Sequence, residues 1–444
     1  MARKLLAGAA AVLVLSGCGG VGSGGDTGAA ATLTSMGFGL GDEIATTRAD
    51  LAGKAIAPAT VKIGGSAFDA QQFLASVASH TPPDLVYLDR QLLGTYAARG
   101  TLEPLTDCIA KQHIDVGQYR PAALGEVTLD GKVYGLPEFY DNRVLLVNDA
   151  AVEGSGMTPQ DVSPADRAKL TTAAQKLTVR AGGGLSRIGF DPKIPEFLPL
   201  WAKANGVRML SDDGRTAHLD DPRLAEALTY TKSLIDAQGG WSTVKAFRDS
   251  FDFFGEKNPF KQGQLAASLM DDWYLNVLAN YSPDVRVSAA PFTDTAGTPI
   301  DWVTGSAWVI PAGSTHKEQA CAWIKTMTDA PTWVAAAKAR AEKRKAAGKA
   351  FTGVYTGNRV ADQEIFGSLV QLKDRPAFDA AVRTVLRAQD SAFTMPASPA
   401  GSEFKTAWQN AVNRVLSGEQ QPAGALRQAQ QEAQRALDAA VAHR

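Results

Sequence analysis

Three stretches place acidic, amide and aromatic side chains together where predicted strands end. Asp89 and Arg90 follow the apolar run Asp84 to Leu88. Tyr140, Asp141 and Asn142 lie in Glu138-Phe139-Tyr140-Asp141-Asn142-Arg143, a polar insert between the apolar runs 133–137 and 144–148. Asp271, Asp272 and Trp273 follow a run of small and apolar residues that ends at Met270. Carboxylates, amides and guanidinium groups hydrogen-bond hydroxyls, and aromatic faces stack on the CH faces of sugar rings. A concave site built this way binds without a nucleophile. Asp42, after the apolar stretch Thr32 to Phe38, has a similar place. For Asp42 and for the pair Asp89-Arg90 the alternative is a helix N-cap or a surface ion pair.

Other chemistries lack their motifs. There is no G-x-S-x-G elbow, P-loop or H-E-x-x-H. Five histidines (80, 113, 218, 316 and 443) are scattered, with no pair at metal-ligand spacing on one helix. A G-x-G-x-x-G match at Gly20, Gly22 and Gly25 follows no strand and is not a dinucleotide site. No metal and no cofactor is therefore expected. Acid pairs arise by chance among 46 acidic residues, so a two-carboxylate glycosidase stays open as an alternative.

The elements that must hold these residues read as an α/β body. At 444 residues the chain suggests two or three domains, or one large α/β unit. Hydrophobic residues make up 45% and charged residues 20%, which is globular rather than disordered. A net charge of -1 argues against a nucleic-acid partner. Strands are expected at 32–38, 61–63 and 84–88, with helices between, which implies βαβ units and a parallel sheet. Ligands of such sheets collect beyond the carboxyl ends of the strands. Asp130-Gly131-Lys132 reads as a hairpin turn. Further helices are expected at 170–177, from Phe197 to Asn205, at 224–235 and at 317–327. Two more fill 403–441, split at Ser417-Gly418. Trp302 to Pro311 reads as a strand broken at Gly305-Ser306. Ala335 to Lys349, an Ala, Lys, Arg and Glu run, reads as a solvated helix because it is short and interrupted by Glu342; the binding of an acidic partner by this basic run is the alternative.

The N-terminus suggests an address. Arg3 and Lys4 precede an apolar run, Leu5 to Leu15, too short to span a bilayer, which takes about 20 residues. Leu15-Ser16-Gly17-Cys18 resembles a bacterial lipobox, in which Cys18 is lipidated and becomes the first mature residue. An ordinary signal with an incidental cysteine is the alternative. The expected order is a signal peptide over 1–17, then a Gly-rich tether over 18–30.

Several stretches, in order, resemble the extracellular solute-binding proteins of ABC importers, in the carbohydrate-binding, maltose-binding-protein-like branch. They are the lipobox, Pro83 to Asp89, Tyr96 to Leu105, Asp130 to Pro137, Phe260 to Trp273, Gly305 to Pro311, Trp323-Ile324-Lys325, and Asn410 to Glu419. Met157-Thr158-Pro159-Gln160 departs from the helix start common there, and the segment 335–350 is longer than the family pattern. The resemblance implies a two-lobe periplasmic-binding-protein type II α/β fold with a ligand cleft between lobes. Lobe one would be 31–140 and 305–361; lobe two would be 141–304 and 362–444.

It further implies that Asp89 and Arg90 bind sugar in the first lobe, that Asp141 follows the first crossing, and that Trp273 is a stacking platform. Trp302, Gly305 and Ser306 would sit where a crossing loop meets ligand; Asp42, Trp201 and Tyr355 are further candidates. Trp308 and Trp323 are expected in the core. The implied protein is a monomeric receptor, held by an N-terminal lipid on the outer face of a bacterial membrane. It would deliver a carbohydrate to permease subunits and would not be an enzyme. A non-sugar solute such as a glycerophosphodiester or a peptide is an alternative, with Arg90 and Arg143 meeting the anion. With Cys18 lipidated, two cysteines remain in an oxidising compartment. The resemblance puts both in lobe one, leaving a Cys108–Cys321 disulfide or two separate buried thiols.

Overall fold

Alternation along a few strands sets up the first lobe. In the strand Leu85–Asp89, Leu85 points to one apolar cluster while Val86 and Leu88 point to another. In Ser306–Val309, Trp308 joins the first cluster and Ala307 and Val309 the second. Side chains two apart share a face, so this pattern covers a sheet on both sides. The structure, a computed structural model, describes residues 30–442 apart from Ser66. The expected signal peptide, Cys18 and the expected tether through residue 29 lie outside the described residues.

The first sheet has five strands, in the order Thr60–Lys62, Thr32–Met36, Leu85–Asp89, Ser306–Val309, Leu136–Pro137. The first three are parallel, as expected. Ser306–Val309, for which the sequence set no direction, runs antiparallel to both of its neighbours. The reason is connectivity: this strand enters the sheet at the end where Leu136–Pro137 leaves it, so the two must run in opposite senses. The second sheet is antiparallel throughout, with the buried strand Arg143–Asn148 between Ala267–Asp271 and Val287–Pro291. A large core surrounds it, built with the helices Leu198–Ala204, Pro222–Asp236, Pro376–Ala388, Gly401–Leu416 and Pro422–Ala442. The result is a two-lobe α/β fold.

Local signals gave good element starts. Asp42 accepts from the Ala45 backbone N–H at 2.9 Å and caps the helix Glu43–Ala55. Asp69 does the same for Ala70–Ala78 through Gln72 at 2.9 Å. At the hairpin, Leu129 pairs with Lys132, with Asp130 and Gly131 both at positive φ. Trp308 and Trp323 are buried in the core. The solvated-helix reading of 335–349 is corrected. The helix spans Ala330–Ala346, and its inner face, Trp333, Ala336 and Ala337, packs on Ile44 of the helix Glu43–Ala55. Cys108 and Cys321 form a disulfide, with Cα atoms 5.6 Å apart and 213 residues between them in sequence. Among the described residues no helix is long and apolar enough to cross a membrane.

Candidate functional site

Two segments cross between the lobes side by side, and a third runs along them. The chain leaves the first sheet at Pro137 and enters the second at Arg143; it returns through Thr304 and Gly305 to Ser306; a third segment passes at Tyr355 and Thr356. Asp141 N–H donates to the Thr304 carbonyl at 3.0 Å, Glu138 N–H to that of Ser306 at 2.9 Å and Tyr140 N–H to that of Tyr355 at 3.2 Å. Gly305 has φ 145°, and a Cβ there would lie 2.2 Å from the Phe139 carbonyl oxygen. Only glycine fits that close approach.

Buried ion pairs bolt these strands down: Arg48 to Glu138 and Arg90 to Glu126, both at 2.7 Å, and Arg143 to Asp271 at 3.1 Å. A buried charge needs such a partner, because desolvation alone costs several kcal/mol, roughly.

Beside the crossing lies a cleft of about 730 Å³. One wall is a helical stripe. Trp273 opens the helix Tyr274–Tyr281, and Asn276, Val277, Asn280 and Tyr281 follow at three- and four-residue spacing on the same face. Phe254 stacks on Trp273, with ring centroids 5.9 Å apart and planes 12° apart. Phe254 is 64% exposed and Trp273 37%, so this aromatic face is open to the cleft rather than spent on the core. Another wall is the C-terminal part of Ala330–Ala346, where Arg340, Lys343 and Arg344 continue the stripe of Trp333, Ala336 and Ala337 beyond the apolar contact, followed by Lys349. Asp42, Glu43, Phe139 and Asp141 complete the lining.

The charges are arranged in pairs. Arg340 Nε donates to Glu43 at 2.7 Å and its Nη2 to Asp42, while Lys343 donates to Glu43 at 2.9 Å. Partial burial works to raise the Glu43 carboxyl, but the bonds from Lys343 and Arg340 prevail and hold it down to about 2. Burial pushes Asp141 above the usual carboxylate range; the Asp271 charge adds to this and Arg143 opposes it. Asp272 is also pushed up, by burial and by Asp141. Carboxyls that hold a proton this readily are good donors as well as acceptors to hydroxyl groups.

Of the sequence candidates, Asp42, Asp141 and Trp273 line the cleft. Asn142, Asp271, Asp272, Gly305 and Ser306 belong to the crossing framework around it: Asp272 accepts from Asn142, and Asp271 pairs with Arg143. Others do not line this cleft. Arg90 is fully buried against Glu126 and the Phe139 carbonyl. Asp89 caps the helix Arg90–Ala98 and binds Lys405 at 2.7 Å, which is the cap and ion-pair alternative. Trp201 is buried in the second core, donating to the Pro192 carbonyl at 2.9 Å. Tyr140, Trp302 and Tyr355 are buried too, Tyr140 under Arg120, Trp302 against Phe197, Tyr355 against Phe366. In each case a local polar partner or an apolar neighbour claims the side chain. Arg90 and Arg143, expected to meet an anionic solute, are each neutralised internally.

The sequence reading missed Glu43, Phe254, Asn276, Asn280 and Tyr281, and it favoured a solvated helix for the basic wall. The wall had a signal: Arg340, Lys343, Arg344 and Ala347 recur at helical spacing on the same stripe as Trp333, Ala336 and Ala337, one to two turns further along, where a buried face would not be expected to turn basic. Phe254, in a loop, had none.

Comparison with known proteins agrees with this architecture. An arabinooligosaccharide-binding protein of Bacillus subtilis (strain 168) is 24% identical over 251 residues, 56% of each chain. The chain thus spans less than two thirds of the length of the curated relatives it matches. The structure of CpMnBP1 with mannotriose bound superposes with a TM-score of 0.74 at 25% identity, over 91% of this chain and 100% of that one. UgpB from Mycobacterium tuberculosis, in complex with glycerophosphocholine, gives 0.70 at 17% identity, over 93% and 100%. Residues 49–343, well over half of the chain, match the family described as bacterial extracellular solute-binding protein, and the chain belongs to that family.

Proposed function

We propose that the protein is a carbohydrate receptor of an ABC importer, binding an oligosaccharide in the cleft between its lobes and passing it to a membrane permease. The observation that carries this reading is the exposed Trp273–Phe254 face on a cleft walled by carboxylate, amide and cationic side chains. Aromatic rings take the CH faces of sugars, and the polar groups take the hydroxyls. The arabinooligosaccharide-binding relative and the mannotriose-bound structure support the same ligand class. In this reading lobe one is 31–140 with 305–361 and lobe two is 141–304 with 362–444. Cys18 carries the lipid that keeps a monomeric receptor at the outer face of the membrane. The site binds and does not hydrolyse.

A thermal-shift screen of oligosaccharides tests the ligand class, because a ligand of the native state raises apparent stability by mass action. Stoichiometric retention of an intact sugar supports a receptor. Turnover of the sugar, or no shift with any oligosaccharide, sinks the proposal. Mass spectrometry of the native N-terminus tests the anchor; a chain starting anywhere but at a lipid-modified Cys18 refutes that part.

A further inference from the structure

The cations on the cleft wall are not equally satisfied. Arg340 and Lys343 bind Asp42 and Glu43. Arg344 has no such partner: its guanidinium makes no hydrogen bond or ion pair among the described residues, and its Nη1 is buried. It is only half-buried overall, with the like charge of Arg340 beside it. Burial and that neighbour push its pKa down, and the more distant charges of Glu43 and Asp42, already engaged by Arg340 and Lys343, only partly oppose them. Lys349, in the same lining, donates to the Asn280 amide oxygen at 3.0 Å and lies over the Tyr281 ring at 5.8 Å, with no carboxylate partner. An ammonium has three donors, so two are left over.

The helix dipole does not account for this arrangement. Basic residues favour a helix C-terminus, but exposed Lys345 in the same last turn serves that purpose fully solvated. A guanidinium set against Arg340 in a cleft wall gains nothing from the dipole that Lys345 does not already supply. A guanidinium presents a planar fork that matches carboxylate and phosphate. Trp273 and Asn280 are two helical turns apart, about 10 Å, so a ring on Trp273 and a group at Lys349 belong to different units of one ligand.

We propose that the cleft is built for an acidic saccharide, whose oxyanion substituent, a carboxylate or a phosphate, sits between Arg344 and Lys349 while another ring stacks on Trp273. This rests on the carbohydrate reading above and narrows it. The test is calorimetry on the full mature chain with mannotriose, trigalacturonate and trehalose 6-phosphate, each at low and high ionic strength. At least one acidic ligand binds about tenfold or more tightly than mannotriose at low salt, as charge-assisted bonds require. That advantage shrinks as salt screens it. Arg344→Gln, with unchanged melting temperature, removes most of the advantage; Lys349→Met removes part; Lys345→Gln removes none. The arm that binds says whether the oxyanion is a carboxylate or a phosphate. Equal binding of all three, or binding of mannotriose alone, overturns the acidic specificity and leaves the carbohydrate reading standing. Binding of no saccharide overturns both.

Discussion

Asp272 and Asn142 tie the end of the first crossing to the end of the strand Ala267–Asp271 beside the cleft: Asp272 Oδ2 accepts the Asn142 backbone N–H at 2.9 Å and its side-chain amide as well, across 130 residues of sequence. Both residues are buried, so neither has water to fall back on. Asp272→Ala leaves two donors unpaired, which costs about 1–3 kcal/mol each. Urea denaturation should show a loss of at least about 2 kcal/mol, and Asp272→Asn, which keeps an acceptor, should recover most of it. Equal stability of the Ala and Asn variants would show that the bond is not what holds this junction.

Acid should stabilise the protein before it destabilises it. Burial pushes Glu126 and Asp301 up to about 7. Each binds its proton more tightly folded than unfolded, so its contribution is complete below the ordinary carboxylate range and is lost as pH rises through about 7. Glu43, held down to about 2, has the opposite sign: its contribution is present above the unfolded value and is lost as pH falls towards about 2. The melting temperature should therefore rise by a few degrees as the pH is lowered from about 8 to about 5. Asp301→Asn, which still accepts from the Arg143 N–H, should flatten that slope. A melting temperature that climbs with pH over this window contradicts the assignment.

Asp141→Ala should weaken binding of an identified ligand by roughly 1–3 kcal/mol, the range for hydrogen bonds to charged or strongly polar groups. Calorimetry on the folded variant decides; unchanged affinity removes Asp141 from the site.

Trp273→Ala should weaken binding and abolish most of the ligand-induced change in tryptophan emission. Trp323→Ala, in the core of the first lobe, should instead lower stability by about 3–5 kcal/mol through the cavity it leaves, with the emission response kept. If Trp323→Ala silences the emission response and Trp273→Ala does not, the aromatic platform has been misplaced.

The Cys108–Cys321 bond closes a loop of more than two hundred residues that includes all three strands of the second sheet. Such a link restricts the unfolded chain, and replacing both cysteines by serine should lower stability by about 2–5 kcal/mol. Peptide mapping without reductant should show the linked pair; two alkylatable thiols would refute it.

The sequence by itself determined what depends on near neighbours. Caps at Asp42 and Asp69, the Asp130-Gly131 turn and the two-residue alternation of the strands are set by residues within one turn or one pleat, so they could be read without the fold. The order of motifs was enough to imply two lobes and the placement of Trp273 after its strand. Tertiary structure alone decided which of the marked side chains meet the cleft. Arg90 looks identical in sequence whether it faces a ligand or Glu126, and Trp201 looks the same whether it faces a sugar or a core. The outcome turns on a partner tens or hundreds of residues away: Glu126 for Arg90, Asp272 for Asn142, Asp42 for Arg340. The helix Ala330–Ala346 shows the limit most plainly. Its composition reads as solvated, but its packing on Glu43–Ala55 buries one stripe at Trp333, Ala336 and Ala337 and brings the basic continuation of that stripe to the cleft, where Arg340 and Lys343 find Asp42 and Glu43.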